Sequence, residues 1–286
     1  MTEADTASRA TTPAVEPPAV LTRHSVTATD GVLLSVLVAS PGEGIEPALG
    51  LPAVVALHGF ASSAEGGWGR TGHLDALTRA GRTVVALDLR GHGQSEKPHS
   101  VAAYTLAAAL ADIAAVVAEI PRLAAGVASR MTMFEAGAVD LIGYSMGARL
   151  SWAAACHSTV PVRRMVLGGF DGRPLFGGVD AERLEKLAAG VLGNDRAALA
   201  ALVEGLAGAG GSSSEAPTSD APTLIVAGAR DILATRAKQF AASLPHGEFL
   251  GIPGRSHISA VPARAYRARL VQFLAVPERL LRGQSA

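Results

Sequence analysis

Val139-Asp140-Leu141-Ile142-Gly143-Tyr144-Ser145-Met146-Gly147-Ala148-Arg149-Leu150 is a short apolar run that passes directly into Gly-x-Ser-x-Gly and then into helix-forming residues. A serine between two glycines is common by chance. One set between a buried strand and a helix has the context of a nucleophile elbow, where a sharp turn lifts the hydroxyl clear of the sheet. Such a turn forces Ser145 into a strained backbone, at a cost on the order of 1–3 kcal/mol. Gly143 and Gly147 lack the side chains that would collide with so tight a turn. The following helix would begin at the serine, so its N–H groups and positive end face any developing anion.

Outward from this stretch, apolar strands alternate with helices. Arg23–Thr29 and Val32–Ser40 read as a hairpin about Asp30-Gly31. Ala53–Leu57, Thr83–Leu87 and Thr223–Ala227 are apolar runs of the type buried on both faces of a parallel sheet, Val139–Ile142 is the short apolar strand before the elbow, and Arg163–Leu167 reads as a further strand. Glu248–Ile252 reads as the last strand. Between them the pattern predicts helices over Leu74–Ala80, Tyr104–Ile120 (stopped at Pro121), Met146–His157, Thr235–Ser243 and Pro262–Ala275. This is α/β order, a doubly wound and mostly parallel sheet. In open sheets of that kind, sites lie beyond the carboxyl ends of the strands.

The rhythm breaks over residues 171–220, where a Gly/Pro loop precedes candidate helices over Asp180–Gly190 and from Asn194 or Asp195 to about Leu206. A Gly/Ser-rich linker follows, Gly208–Asp220. The expected organisation is a tail over residues 1–20, a core of 21–170 and 221–286, and a small helical lid over 171–220.

Composition excludes several function classes. The 286 residues carry 25 basic and 25 acidic side chains, so no charge excess calls for nucleic acid or an anionic membrane. No uninterrupted apolar run approaches the ~20 residues of a membrane span. The N-terminus lacks the apolar region of a signal peptide, and Cys156 is the single cysteine; both point to a cytoplasmic setting. No GxGxxG fingerprint, P-loop or His/Cys metal cluster appears, so neither a cofactor nor a metal is expected. The expected partner is a small-molecule substrate. Oligomeric state is not encoded in any pattern read here.

A serine hydroxyl needs a base to take its proton, and the base needs a third group to hold its tautomer. Asp231 follows the strand Thr223–Ala227, and His257 follows the last strand. Asp171, after another strand, is an alternative carboxylate. Asp88 also ends a strand, but its Gly-rich continuation reads as loop organisation. His58 and His92 read as structural, each satisfying loop backbone groups. Trp152 and Cys156 share a helix stripe with Ser145 and Arg149 and read as core. Phe60, Trp68, Tyr144 and Met146 could line a substrate pocket or simply pack.

From about residue 22 to 276 the sequence resembles the α/β-hydrolase family. The resemblance is carried by His58-Gly59, Asp88-Leu89-Arg90-Gly91-His92-Gly93-Gln94-Ser95, the elbow, Gly228-x-x-Asp231 and the late His257, in that order. It implies Ser145 as nucleophile, His257 as general base and then acid, Asp231 as the group orienting His257, and an oxyanion hole from the backbone N–H groups of Phe60 and Met146. Relatives that open epoxides or displace halide place Asp at the elbow. Serine there implies acyl transfer, with hydrolysis of a small to medium, largely apolar carboxylic ester as the leading expectation. Carbon–carbon bond hydrolysis, cofactor-free peroxy-acid formation and a receptor without turnover are the competing expectations on the same fold.

Overall fold

A computed structural model describes residues 19–124, 138–173, 194–207 and 218–276. Eight strands form one sheet: β1 (Val20–Thr27), β2 (Leu33–Ser40), β3 (Val54–Leu57), β4 (Val84–Asp88), β5 (Val139–Tyr144), β6 (Val162–Gly168), β7 (Thr223–Gly228) and β8 (Gly247–Ile252). Their spatial order is β1-β2-β4-β3-β5-β6-β7-β8. The β1–β2 hairpin is antiparallel, β2 pairs antiparallel with β4, and every later pairing is parallel. The order reverses between β3 and β5, which places the end of β5 at a topological switch point.

Helices cover both faces. They are α1 (His73–Arg79), α2 (Leu106–Ala118), α3 (Ile120–Leu123), α4 (Met146–Cys156), α5 (Arg196–Ala207), α6 (Ala237–Ser243) and α7 (Arg264–Leu274), with a single helical turn at Glu65–Gly69. Because successive strand residues point to opposite faces, the apolar runs supply two cores. Val55, Leu57, Val85, Leu87, Leu141 and Leu167 pack toward α2, α4 and α5. Val54, Ala56, Val84, Ile142, Val166 and Val226 pack toward α1 and α7, with Trp68, Tyr266 and Phe273.

The differences from the expected elements have local causes. The hairpin connection spans five residues closed by Ala28 N–H to Val32 O (2.8 Å), so Asp30-Gly31 sits within a longer loop. Pro121 does not end the chain's helical course: α2 stops at Ala118, and Pro121 stands in the first turn of α3, where its missing N–H is no loss. Of the two possible starts for α5, Asp195 caps it through its carboxylate and Ala198 N–H (3.0 Å). The helix expected over Asp180–Gly190 and most of the 171–220 insertion lie outside the described residues, as does nearly all of the tail. No helix among the described residues is long and apolar enough to cross a membrane.

Candidate active site

Ser145 joins β5 to α4 at φ 52°, ψ −110°, a left-handed value that a side-chain-bearing residue holds only under constraint. The constraint is visible in its neighbours. A Cβ on Gly147 would lie 2.0 Å from Leu57 O, and one on Gly143 would lie 2.5 Å from Gly147 O. The elbow therefore packs backbone to backbone against the end of β3. Ser145 N–H donates to Gly168 O of β6 (2.8 Å), and Met146 opens α4 directly behind it.

The loop after β3 lies along this elbow. A Cβ at Gly59 would stand 3.6 Å from Ser145 Cβ. His58 Nδ1 pairs with Gly59 O (2.8 Å) while its Nε2 accepts from Leu89 N–H (3.1 Å). His92 does the same across the loop, Nδ1 to Arg90 O and Nε2 accepting from Ala61 N–H (3.1 Å each). Both rings are thus neutral and fully engaged, as the sequence reading expected. Burial lowers the pKa of His58 and lowers that of His92 to about 3. Ala61 is a second strained residue (φ 57°). Its N–H is spent on His92, and its carbonyl accepts from Asn194 (3.1 Å). Leu199 of α5 packs on Ala61 and Phe60. In the sequence Asn194 reads only as a possible helix start and Leu199 only as a position within that helix, since neither belongs to a motif.

Asp88 organises the neighbouring loop: its carboxylate accepts from Ala64 N–H (2.7 Å), Gln94 N–H (3.0 Å) and Arg23 (3.0 Å). Arg90 is held by a two-pronged pair with Asp112 (2.6 Å each).

On the far side of Ser145, His257 Nδ1 meets Asp231 Oδ2 at 2.8 Å. The Asp231 side chain is wholly buried and that of His257 is 13% exposed. Asp231 Oδ1 accepts from Leu233 N–H (2.9 Å), which fixes the carboxylate. Asp171 is occupied elsewhere: it pairs with Arg173 Nε (2.9 Å) and with Arg173 Nη2 (2.7 Å). Ser145 Oγ makes no hydrogen bond among the described residues. Ser145 and His257 each adjoin the end of β6. Gly168 receives Ser145 N–H, and a Cβ on the next residue, Gly169, would lie 2.7 Å from His257 Cε1.

The remaining candidates fall into place around these residues. Trp68 is fully buried in the α1/α7 core, which is the packing alternative rather than a pocket wall. Tyr144 is also buried (6% exposed), and its hydroxyl reaches the carbonyl of His257. Trp152 packs against Phe170 and Phe240. Burial pushes the Cys156 thiol up to about 12, so it carries no thiolate at neutral pH. Arg149 lies over the Phe170 ring (5.5 Å) and donates to Ser145 O (3.3 Å); burial lowers its pKa, opposed chiefly by Asp171. A narrow crevice of about 10 Å³ behind Met146 is lined by Leu89, Leu150, Leu202 and Leu206 together with the Arg90–Asp112 pair. Among the described residues no cluster of His, Cys, Asp or Glu is arranged to hold a metal ion.

Comparisons with known proteins agree with this architecture. The bottromycin epimerase BotH, solved in complex with bottromycin A2, superposes with a TM-score of 0.67 at 19% identity over 88% of this chain and 99% of its own. The epoxide hydrolase VrEH1 of Vigna radiata gives 0.66 at 17% identity, covering 89% and 97%. An esterase of Thermogutta terrifontis, with malate bound, gives 0.62 at 19% identity, covering 89% and 100%. No curated protein sequence matches. At these identities the structures speak to the fold. The family profile described as alpha/beta hydrolase fold matches residues 52–206, more than half of the chain. With its mostly parallel eight-stranded sheet and a serine at the β5–α4 elbow, the chain belongs to the α/β-hydrolase family.

Proposed function

We propose that this hydrolase cleaves a small to medium, largely apolar carboxylic ester, with Ser145 as nucleophile, His257 as general base and Asp231 as its orienting carboxylate. The observation that carries the reading is the 2.8 Å bond from His257 Nδ1 to Asp231, in a fold that also holds Ser145 at φ 52°. A carboxylate that accepts the Nδ1–H leaves the Nε2 lone pair as the basic position. That lone pair removes the Ser145 proton as Oγ attacks the ester carbonyl. The backbone N–H groups of Phe60 and Met146 receive the oxyanion, and His257 returns the proton to the leaving alcohol. Water then repeats the sequence on the acyl-enzyme and frees the acid. One missing oxyanion donor typically costs about 100- to 1000-fold in rate.

One further feature supports the assignment. Serine at the elbow favours acyl transfer over the alkyl-ester route that an elbow aspartate would take. We place α5 in a small lid over the site, since Leu199 and Asn194 touch the Phe60–Ala61 loop.

The test is a panel of p-nitrophenyl esters of increasing acyl length, run beside a vinylogous diketone. Turnover of short and medium esters that disappears in Ser145→Ala supports the reading. Strong turnover of the diketone alone would replace it with carbon–carbon hydrolysis.

A further inference from the structure

Tyr144 is the residue before the nucleophile, so its main chain runs directly into Ser145. Its side chain ends somewhere else: the hydroxyl donates to the backbone carbonyl of His257 (2.5 Å). Its ring lies against the imidazole, with centroids 5.4 Å apart and planes tilted by 56°. One residue therefore ties the strand that carries the serine to the loop that carries the histidine, which lies 113 positions away.

That loop is otherwise fixed at its flanks. Arg255 O accepts from Arg230 N–H (2.8 Å), and Ser256 O accepts from Ala260 N–H (3.0 Å). For the carbonyl of His257 itself, the Tyr144 hydroxyl is the hydrogen-bond partner among the described residues. The fold makes room for this arrangement at β6. A Cβ on Gly168 would stand 2.5 Å from Tyr144 Cδ2, and one on Gly169 would stand 2.7 Å from His257 Cε1 and 3.1 Å from the Tyr144 ring. Beyond Tyr144 the stack continues into the core through Tyr266 (6.3 Å between centroids), which in turn packs on His73 (4.8 Å). The Tyr144 ring is thus clamped between a rigid core and the imidazole. Burial raises its hydroxyl pKa, so it stays a donor at any pH the protein would meet.

We propose that Tyr144 is a positioning residue: through its hydroxyl and ring it sets the orientation of His257 relative to Ser145, so that base and nucleophile move as one unit. The proposal rests on the serine-hydrolase reading above. Orientation errors of about 1 Å at a reacting centre can cost about 100-fold in rate, whereas ester binding does not touch a buried tyrosine. Loss of the hydroxyl should therefore act on kcat and leave KM nearly unchanged.

The experiment compares Tyr144→Phe with Tyr266→Phe. The second removes an equally buried hydroxyl that has no partner among the described residues. Each protein is assayed for kcat and KM on the best ester, for thermal unfolding, and by proton NMR for the downfield Nδ1–H resonance that His257 shares with Asp231. The expected result is a fall in kcat of about 10- to 100-fold for Tyr144→Phe, with KM within about twofold and the Nδ1–H resonance broadened. Tyr266→Phe should stay within about twofold of wild type in every kinetic readout. Equal kinetics for Tyr144→Phe and wild type would overturn the proposal. So would a Tyr144→Phe protein that fails to fold while Tyr266→Phe folds, since the bond would then be structural. If wild type itself forms no fluorophosphonate adduct at Ser145, the underlying hydrolase reading has failed, an outcome distinct from both.

Discussion

The two ends of β5 carry its polar exceptions, and they are treated in opposite ways. At the entry, Asp140 is fully buried and takes hydrogen bonds from Arg82 (2.5 Å) and from two nitrogens of Arg163 (2.9 and 2.5 Å). Those guanidinium groups also reach Pro52 O, Leu274 O and Val276 O, so the cluster ties the sheet to the end of α7. At the exit, Ser145 is strained and its hydroxyl is left without a partner among the described residues. One end spends a buried charge completely. The other keeps an unspent hydroxyl, which only a rigid frame can hold ready. On the proposed mechanism the strand thus separates stability from chemistry along its own length.

Substitutions at the two ends should split accordingly. Ser145→Ala is expected to lower kcat/KM by about 10⁴-fold or more with no loss in thermal unfolding temperature; an unfolding scan beside an ester assay checks both. Asp231→Asn should cost about 10⁴-fold by losing the tautomer that exposes Nε2, again without a large stability change. Asp140→Asn should do the reverse. Leaving two buried arginines without their carboxylate costs about 3–5 kcal/mol of stability, read by urea titration, while activity per folded molecule stays unchanged.

Gly169→Ala sharpens the exit end. Its φ of 61° and the 2.7 Å approach to His257 Cε1 force the imidazole to shift, with a loss in kcat of about 10- to 100-fold. A separate effect concerns pH. His73 and His92, held neutral by burial, titrate near 3 in the folded protein, against about 6.5 unfolded. The unfolded chain therefore binds more protons between those values, so their contribution is intact above about pH 6.5 and declines as pH falls toward 3. His92→Gln, assayed by urea titration from pH 7 to 4, should flatten that decline.

Much of the exit end was legible in the sequence. The elbow and Asp231 each follow an apolar run, and runs of that kind locate the carboxyl ends of parallel strands; His257 follows the shorter, half-exposed last strand. The histidines of the β3 and β4 loops were also readable, because loop backbone needs partners. The entry end was not legible. A lone aspartate in an apolar strand announces no partner, and Arg82 and Arg163 lie 58 and 23 residues away. Tyr144 was visible as a neighbour of the serine, but its bond to the loop of His257 exists only once β5, β6, β7 and β8 are assembled in one sheet. Asn194 and Ala61 meet for the same reason. The turn at Pro121 was misread because proline stops a helix in its interior yet starts one comfortably in its first turn.

The account stands most directly on a covalent intermediate. Rapid mixing with a p-nitrophenyl ester, acid quenching and mass mapping of the peptides should find the acyl group on Ser145, absent in Ser145→Ala and formed far more slowly in His257→Ala. Acylation at another residue, or acylation of Ser145 at an unchanged rate without His257, would contradict it.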